Sequence, residues 1–252
     1  MNIGDMPTYL KGESVQFKSK TGNILSGWLV KGDNEHGGVL LMHGVRANRK
    51  QMLARASFLN QKGYSVLLFD FQAHGESPGE NITFGYLEAQ DAEAAFSFLE
   101  KQLNDKPVGV IGVSLGGASA ILSNISQKTR ALVLEAVYPT LEEAIENRIV
   151  IRLGEMGRYL SPVLMWQIEP RLGFDPKLLA PINVLNHSTA PLLFIAGTED
   201  RHTTLSESKR MYHVAPEPKQ FWAVQGAAHQ DFYQHSPVDY QKLVLKFFNQ
   251  YL

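Results

Sequence analysis

Apolar residues along this chain are grouped in short runs separated by polar and glycine-containing segments. Two opening runs, 15–19 and 24–30, alternate or mix apolar and polar residues around a Thr21-Gly22-Asn23 turn, which predicts a β-hairpin. Later runs are almost continuously apolar, as is typical of strands buried on both faces of a sheet. These runs are 38–42, 64–69, the stretch that starts at residue 107, 131–137, 191–197 and 219–224. The pattern therefore predicts eight strands.

Segments with apolar residues at helical spacing lie between these runs. They are 51–61, 86–103, 115–126, 205–213 and a closing segment that carries Tyr240, Val244, Phe247 and Tyr251. Strands that alternate with helices indicate βαβ units and a parallel sheet with helices on both faces. We therefore predict one α/β domain over residues 1–252, with a mostly parallel sheet of eight strands flanked by helices.

The alternation stops between residues 140 and 190. Residues 141–159 have a helical pattern, and prolines interrupt the apolar sequence that follows. A connection of this length without a strand requires structure of its own, so we predict a small helical cap over 140–190. An ordinary crossover lengthened by surface helices is the alternative.

Composition excludes several classes of protein. Lys and Arg total 24 against 25 for Asp and Glu, so no net field favours nucleic acid or an anionic membrane as a partner. The chain has no cysteine, which excludes disulfides, thiolate metal sites and cysteine nucleophiles. No apolar run has the length of a membrane span, and residues 1–11 do not resemble a signal peptide. We expect a cytoplasmic protein without a membrane span.

Ser114 is the strongest candidate for chemistry. It lies in a Gly-x-Ser-x-Gly pattern between an apolar strand and a helix start rich in small residues, which is typical of a nucleophile elbow. Side chains at Gly112 or Gly116 would collide with neighbouring backbone in such a turn. Ser114 is therefore a candidate nucleophile.

Two further polar residues follow later strands. Asp200 comes after the seventh strand and His229 after the eighth, and groups that follow parallel strands meet at one edge of the sheet. A serine nucleophile needs a base such as His229, and a carboxylate such as Asp200 to orient that base. Glu199 and Asp231 are weaker candidates for the acid, since Glu199 should point away from its neighbour and Asp231 is too near His229 in sequence.

Acyl transfer also requires donors for a developing oxyanion, usually backbone N–H groups. The elbow pattern predicts that Leu115 and Val45 supply them. His43 either shapes the approach of a substrate or makes a structural hydrogen bond in its loop. A basic cluster at Arg46, Arg49 and Lys50 either meets an anionic substrate or is simply solvated.

These motifs together resemble the α/β-hydrolase superfamily, and most closely its serine-aminopeptidase-like or Bem46-like branch. The resemblance covers residues 13–252 through Leu41-Met42-His43-Gly44, residues 70–77, residues 112–117, residues 196–200 and Gly226-Ala227-Ala228-His229. It implies a Ser114, Asp200 and His229 triad, an oxyanion hole from Val45 and Leu115, and no cofactor. We also predict no metal site.

The predicted function is hydrolysis of a carboxylic ester or related small acyl compound through an acyl-enzyme. An aminopeptidase or amidase, a thioesterase, and a non-catalytic binding protein on this fold are the alternatives. The apolar sequence around Met165 and Trp166 predicts a hydrophobic acyl pocket, with these residues and His43 as substrate contacts. Which side chains face the pocket is left open by the sequence.

Overall fold

A computed structural model of the protein describes residues 3–33 and 36–252. Residues 1, 2, 34 and 35 of the predicted domain lie outside the described residues. The strands are β1 (Gly12–Lys18), β2 (Ile24–Val30), β3 (Gly38–Met42), β4 (Ser65–Phe69), β5 (Val108–Val113), β6 (Ala131–Glu135), β7 (Leu192–Gly197) and β8 (Lys219–Val224).

The strands form one sheet in the order β1-β2-β4-β3-β5-β6-β7-β8. β2 pairs antiparallel with both β1 and β4, and the pairs from β4 through β8 are all parallel. The prediction of a mostly parallel sheet of eight strands is confirmed for the described part of the chain. Because β5 to β8 are parallel neighbours, the loops that follow them emerge at the same edge.

Helices cover both faces of this sheet. They are α1 (Leu53–Gln61), α2 (Glu88–Gln102), α3 (Leu115–Leu122), α4 (Leu141–Leu153), α5 (Ser161–Trp166), α6 (Ile168–Leu172), α7 (Pro181–Val184), α8 (Leu205–Val214), α9 (Phe232–His235) and α10 (Pro237–Tyr251). Two predicted helices are shorter than expected. α3 ends at Leu122, and Ser123 then caps a separate 3-10 turn. α4 ends at Leu153 because Gly154 has a φ of 74°, and a 3-10 turn follows it.

The apolar core consists of one cluster on each face of the sheet. Leu40 and Met42 of β3 pack with residues of α2 and α3, whereas Val39 and Leu41 pack with residues of α1 and α10. Successive residues of β3 therefore point into different apolar clusters. This explains why the central strands are apolar at almost every position.

The chain between β6 and β7 contains α4 to α7 and 3-10 turns, and its residues form no strand. A small third apolar cluster lies here, built on Leu141, Ile168, Phe174 and Leu179, with Phe84 packed against it. That this segment forms a cap stays a prediction.

In the described ranges, no helix combines the length and the hydropathy that a membrane crossing requires.

Candidate active site

Ser114 lies in the turn between β5 and α3 with φ 49° and ψ −108°, a conformation that serine rarely adopts. Its N–H donates to the Glu135 carbonyl at 2.8 Å, which ties the turn to the end of β6. A Cβ built on Gly112 would lie 2.5 Å from the Gly117 nitrogen, and one built on Gly116 would lie 2.5 Å from the Met42 oxygen. Both glycines are therefore required by the close approach of neighbouring backbone.

The Ser114 side chain is almost wholly buried, and its Oγ makes no hydrogen bond within the described part of the chain. It lies at a cavity that is partly open to solvent. The N-terminus of α3 adds partial positive charge next to the hydroxyl. A buried hydroxyl without a partner beside a cavity is available to a bound molecule.

Asp200 follows β7 and is buried, with three hydrogen bonds to its carboxylate. Oδ1 accepts from the backbone N–H groups of His202 at 2.8 Å and Thr203 at 2.9 Å. Oδ2 lies 2.7 Å from Nδ1 of His229. The carboxylate is therefore fixed by its own loop and oriented towards the histidine.

His229 follows β8, and 24% of its side chain is exposed. Since a carboxylate can only accept, Nδ1 of His229 donates in this contact, and in the neutral imidazole Nε2 then has a lone pair. The imidazole can therefore take up a proton at Nε2. Ser114 lies at the same edge of the sheet, but the structure shows no hydrogen bond between Ser114 Oγ and His229.

Neither of the weaker acid candidates approaches His229 in this way. Glu199 is exposed, next to the buried Asp200. Asp231 caps α9 and lies 2.9 Å from the guanidinium of Arg55. Asp200 is the carboxylate that pairs with His229 in the described part of the chain.

Val45 and Leu115 both line the cavity at Ser114. Leu115 is the first residue of α3, where a backbone N–H has no acceptor one turn earlier in its helix. The Val45 N–H makes no hydrogen bond within the described part of the chain. Both N–H groups are therefore free to donate to a bound oxygen.

Of the two roles predicted for His43, the structure shows the structural hydrogen bond and not the substrate contact. Its ring is wholly buried, with Nδ1 2.7 Å from the Gly44 carbonyl and Nε2 accepting from the Phe71 N–H at 3.1 Å. Burial lowers the pKa of His43 to about 3, which keeps the ring neutral. With both ring nitrogens bonded to backbone, His43 holds the loops that follow β3 and β4 and has no free nitrogen for a substrate.

Met165 and Trp166, the other predicted substrate contacts, are not among the residues that line the cavity at Ser114. Trp166 is 74% exposed, and Met165 packs against the third apolar cluster. The cavity is lined instead by Val45, Phe84, Ser114, Leu115, Tyr138, Leu141, Ala144, Ile145 and Arg148. The α4 members of this set follow helical spacing, which indicates that they share one face of the helix but not that this face lines the cavity.

The three residues of the basic cluster lie in different environments. Arg49 is buried, pairs with Asp70 at 2.5 Å and with Glu76, and lies over the Trp28 ring. Arg49 is thus part of the structural core, whereas Arg46 and Lys50 are exposed.

Asp200, His202 and His229 offer ligand atoms within 4.8 Å of one another. A metal there would have to displace the hydrogen bond between Asp200 and His229 or share an oxygen that already accepts from backbone N–H groups. The donor set is thus already used for hydrogen bonding, and we assign no metal to it.

Comparison with known proteins places this chain in a family. The family model for serine aminopeptidase S33 matches residues 33–166, more than half of the chain. An uncharacterized Mycobacterium tuberculosis protein, Rv2307c, is 30% identical over 87% of this chain and 73% of its own length. The Bacillus subtilis protein YqkD, also uncharacterized, is 23% identical over 91% of this chain and 76% of its own.

Among solved structures, the Pyrococcus furiosus esterase Pf2001 is similar over 100% of this chain and 97% of its own, with a TM-score of 0.78 and 25% identity. A hypothetical protein of Pseudomonas aeruginosa, PA2218, has the same fold at a TM-score of 0.72 and 19% identity, covering 100% of this chain and 97% of its own.

Proposed function

Since the chain belongs to the serine aminopeptidase family of α/β hydrolases, we propose that it is a serine hydrolase that cleaves a carboxylic ester through an acyl-enzyme. The observation that carries this proposal is the 2.7 Å contact between Asp200 Oδ2 and His229 Nδ1 at the edge of the sheet where Ser114 forms a nucleophile elbow. Ser114 is the proposed nucleophile, His229 the base and Asp200 its orienting acid.

In the proposed reaction, Ser114 Oγ attacks the ester carbonyl while its proton passes to His229 Nε2. The tetrahedral oxyanion accepts hydrogen bonds from the N–H groups of Val45 and Leu115. Collapse of the tetrahedral intermediate breaks the bond to the alcohol oxygen, and the alcohol leaves with the proton from His229. Water then attacks the acyl-enzyme, with His229 again as base, and the acid product and free Ser114 are released.

The lining of the cavity favours an ester over an aminoacyl substrate. Apart from Arg148 and the hydroxyls of Ser114 and Tyr138, the lining side chains are apolar, and the set contains no carboxylate. An aminopeptidase must hold the positively charged α-amino group of its substrate, which a carboxylate would do and a guanidinium would oppose. The apolar residues instead suit a short acyl chain.

A hydrolysis profile tests the proposal. We expect the wild-type protein to hydrolyse short-chain acyl esters, with slower turnover of aminoacyl amides that carry matched acyl groups. A Ser114→Ala variant should lose the ester activity. Equal activity of this variant and wild type would contradict the role of Ser114, and faster cleavage of the amides would favour the peptidase. Faster cleavage of matched thioesters would assign a thioesterase on the same triad.

A further inference from the structure

Arg148 brings a positive charge to the cavity that holds Ser114. It lies on α4, on the same helical face as Leu141, Ala144 and Ile145, and all four side chains line the cavity. Its side chain is partly buried. Arg148 is thus the charged residue in a lining that is otherwise apolar apart from the hydroxyls of Ser114 and Tyr138.

The guanidinium has no carboxylate partner within 4.0 Å among residues 3–33 and 36–252. Its Nη1 donates to the Ala144 carbonyl at 2.6 Å. Arg49 and Arg55, which are buried in the core, each pair with two carboxylates. Arg148 therefore differs from the structural arginines of this protein.

Nearby carboxylates are already engaged by other groups. Asp200 is bonded to His229 and to two backbone N–H groups, and Glu207 accepts from Asn147 and from the Thr204 N–H. Desolvation of the partly buried side chain lowers the pKa of Arg148. The carboxylates of Asp200 and Glu207 interact with Arg148 only over a longer range. The guanidinium remains protonated at neutral pH, because the pKa of arginine starts so far above that range.

The guanidinium of Arg46 also interacts electrostatically with Arg148. Arg46 follows Val45, is exposed and makes no ion pair with any described residue, and its charge also lowers the pKa of Arg148. The planar fork of Arg148 suits the two oxygens of a carboxylate or phosphate.

We propose that the site takes esters that carry an anionic group, a carboxylate or a phosphate, and that Arg148 binds this group while Ser114 attacks the ester carbonyl. This substrate class rests on the proposed function. Arg148 is then a specificity-determining residue, since a neutral ester of the same shape would leave its guanidinium unpaired.

Matched ester pairs test this proposal. The first pair is monomethyl adipate against methyl hexanoate, which places a carboxylate on the acyl side. The second is 1-acetylglycerol 3-phosphate against 1-acetylglycerol, which places a phosphate on the alcohol side. For each pair, the ratio of kcat/KM for the anionic ester to that for the neutral ester is measured in wild type, Arg148→Gln, Arg148→Lys and Arg152→Gln.

We expect Arg148→Gln to lower this ratio by about tenfold to a hundredfold in at least one pair, the cost of removing a charged hydrogen-bond partner. Arg148→Lys, which keeps the charge but not the fork, should give a smaller decrease. Arg152 is exposed, one turn further along α4, and is absent from the cavity lining, so Arg152→Gln should leave the ratio unchanged. The pair that responds identifies the anion.

An unchanged ratio in both pairs for Arg148→Gln, with the neutral esters still hydrolysed, would overturn this proposal and leave the proposed function intact. A binding measurement further distinguishes failure of the anion site from failure of the proposed function. Binding of monomethyl adipate and of 1-acetylglycerol 3-phosphate to Ser114→Ala protein is measured by calorimetry. Weaker binding after adding Arg148→Gln would support the anion site even if turnover failed, whereas equal binding of both ligands would contradict it.

Discussion

Ser114 combines a strained backbone with a buried hydroxyl that has no hydrogen bond among the described residues. A positive φ at a non-glycine residue costs on the order of 1–3 kcal/mol and persists only where surrounding structure fixes it. Here the Glu135 carbonyl and the tight contacts of Gly112 and Gly116 fix it. This turn conformation places Ser114 at the cavity.

Asp200→Asn tests the pairing of acid and base. An asparagine oxygen can still accept from the His202 and Thr203 N–H groups, but its NH₂ would then face Nδ1 of His229. The histidine would take the tautomer with its proton on Nε2, where it cannot accept one from Ser114. We expect kcat on a short ester to fall by about 10³ to 10⁴, with the thermal transition retained. Near-wild-type kcat would contradict the role of Asp200.

His43 gives a prediction for the pH dependence of stability. The pKa of His43 is about 3 in the folded protein and 6.5 as the ordinary value, so between these the unfolded state binds the extra proton. His43 should therefore lower the free energy of unfolding as pH falls below 6.5, by up to about 1.4 kcal/mol per pH unit.

The measurement is urea denaturation of wild type and His43→Gln from about pH 7 down to about pH 4. The stability advantage of wild type should shrink as pH falls, since glutamine does not titrate. A difference that stays constant across this range would show that His43 is not held neutral.

At the scale of elements, a buried network joins α1, β6 and the loop that carries His229. Arg55 of α1 donates to both oxygens of Glu135 at 2.9 and 2.6 Å and to Asp231 at 3.1 Å. The Tyr240 hydroxyl donates to Glu135 at 2.6 Å. Since the Glu135 carbonyl binds Ser114 and Asp231 lies two residues after His229, the network reaches both proposed catalytic residues.

Arg55→Met should lower the free energy of unfolding by about 3–5 kcal/mol, because it leaves the buried Glu135 carboxylate without its cation. Adding Glu135→Gln should recover part of that loss, since the unpaired charge is removed. Lys62→Met, an exposed cation directly after α1, is the control and should change stability by less than about 0.5 kcal/mol. Urea denaturation checks this, and equal losses for the single and double variants would contradict a charge effect.

Strands and helices were largely predictable, whereas long-range pairings were not. The apolar runs of β3 to β7 and the elbow at Ser114 are local patterns that the sequence displays directly. Arg55 and Glu135 lie 80 residues apart, and nothing near either residue indicates its partner. Similarly, Arg148 reaches the cavity only because α4 crosses near Ser114, which helical spacing alone does not determine.

At the scale of the whole molecule, the parallel order of β5 to β8 places the loops with Ser114, Asp200 and His229 at one edge. The helical segment between β6 and β7 contributes three apolar residues of α4 and Arg148 to the lining of the cavity at that edge. We therefore propose that residues after the strands carry out the chemistry, with Ser114 as the nucleophile, and that α4 determines substrate choice.

The most direct test is labelling of the intact protein with a fluorophosphonate probe, followed by mass spectrometry of the modified peptide. We expect one covalent adduct on Ser114, strongly slowed labelling in His229→Ala, and no labelling in Ser114→Ala. An adduct on another residue, or a wild-type protein as unreactive as Ser114→Ala, would contradict the role of Ser114 as the nucleophile.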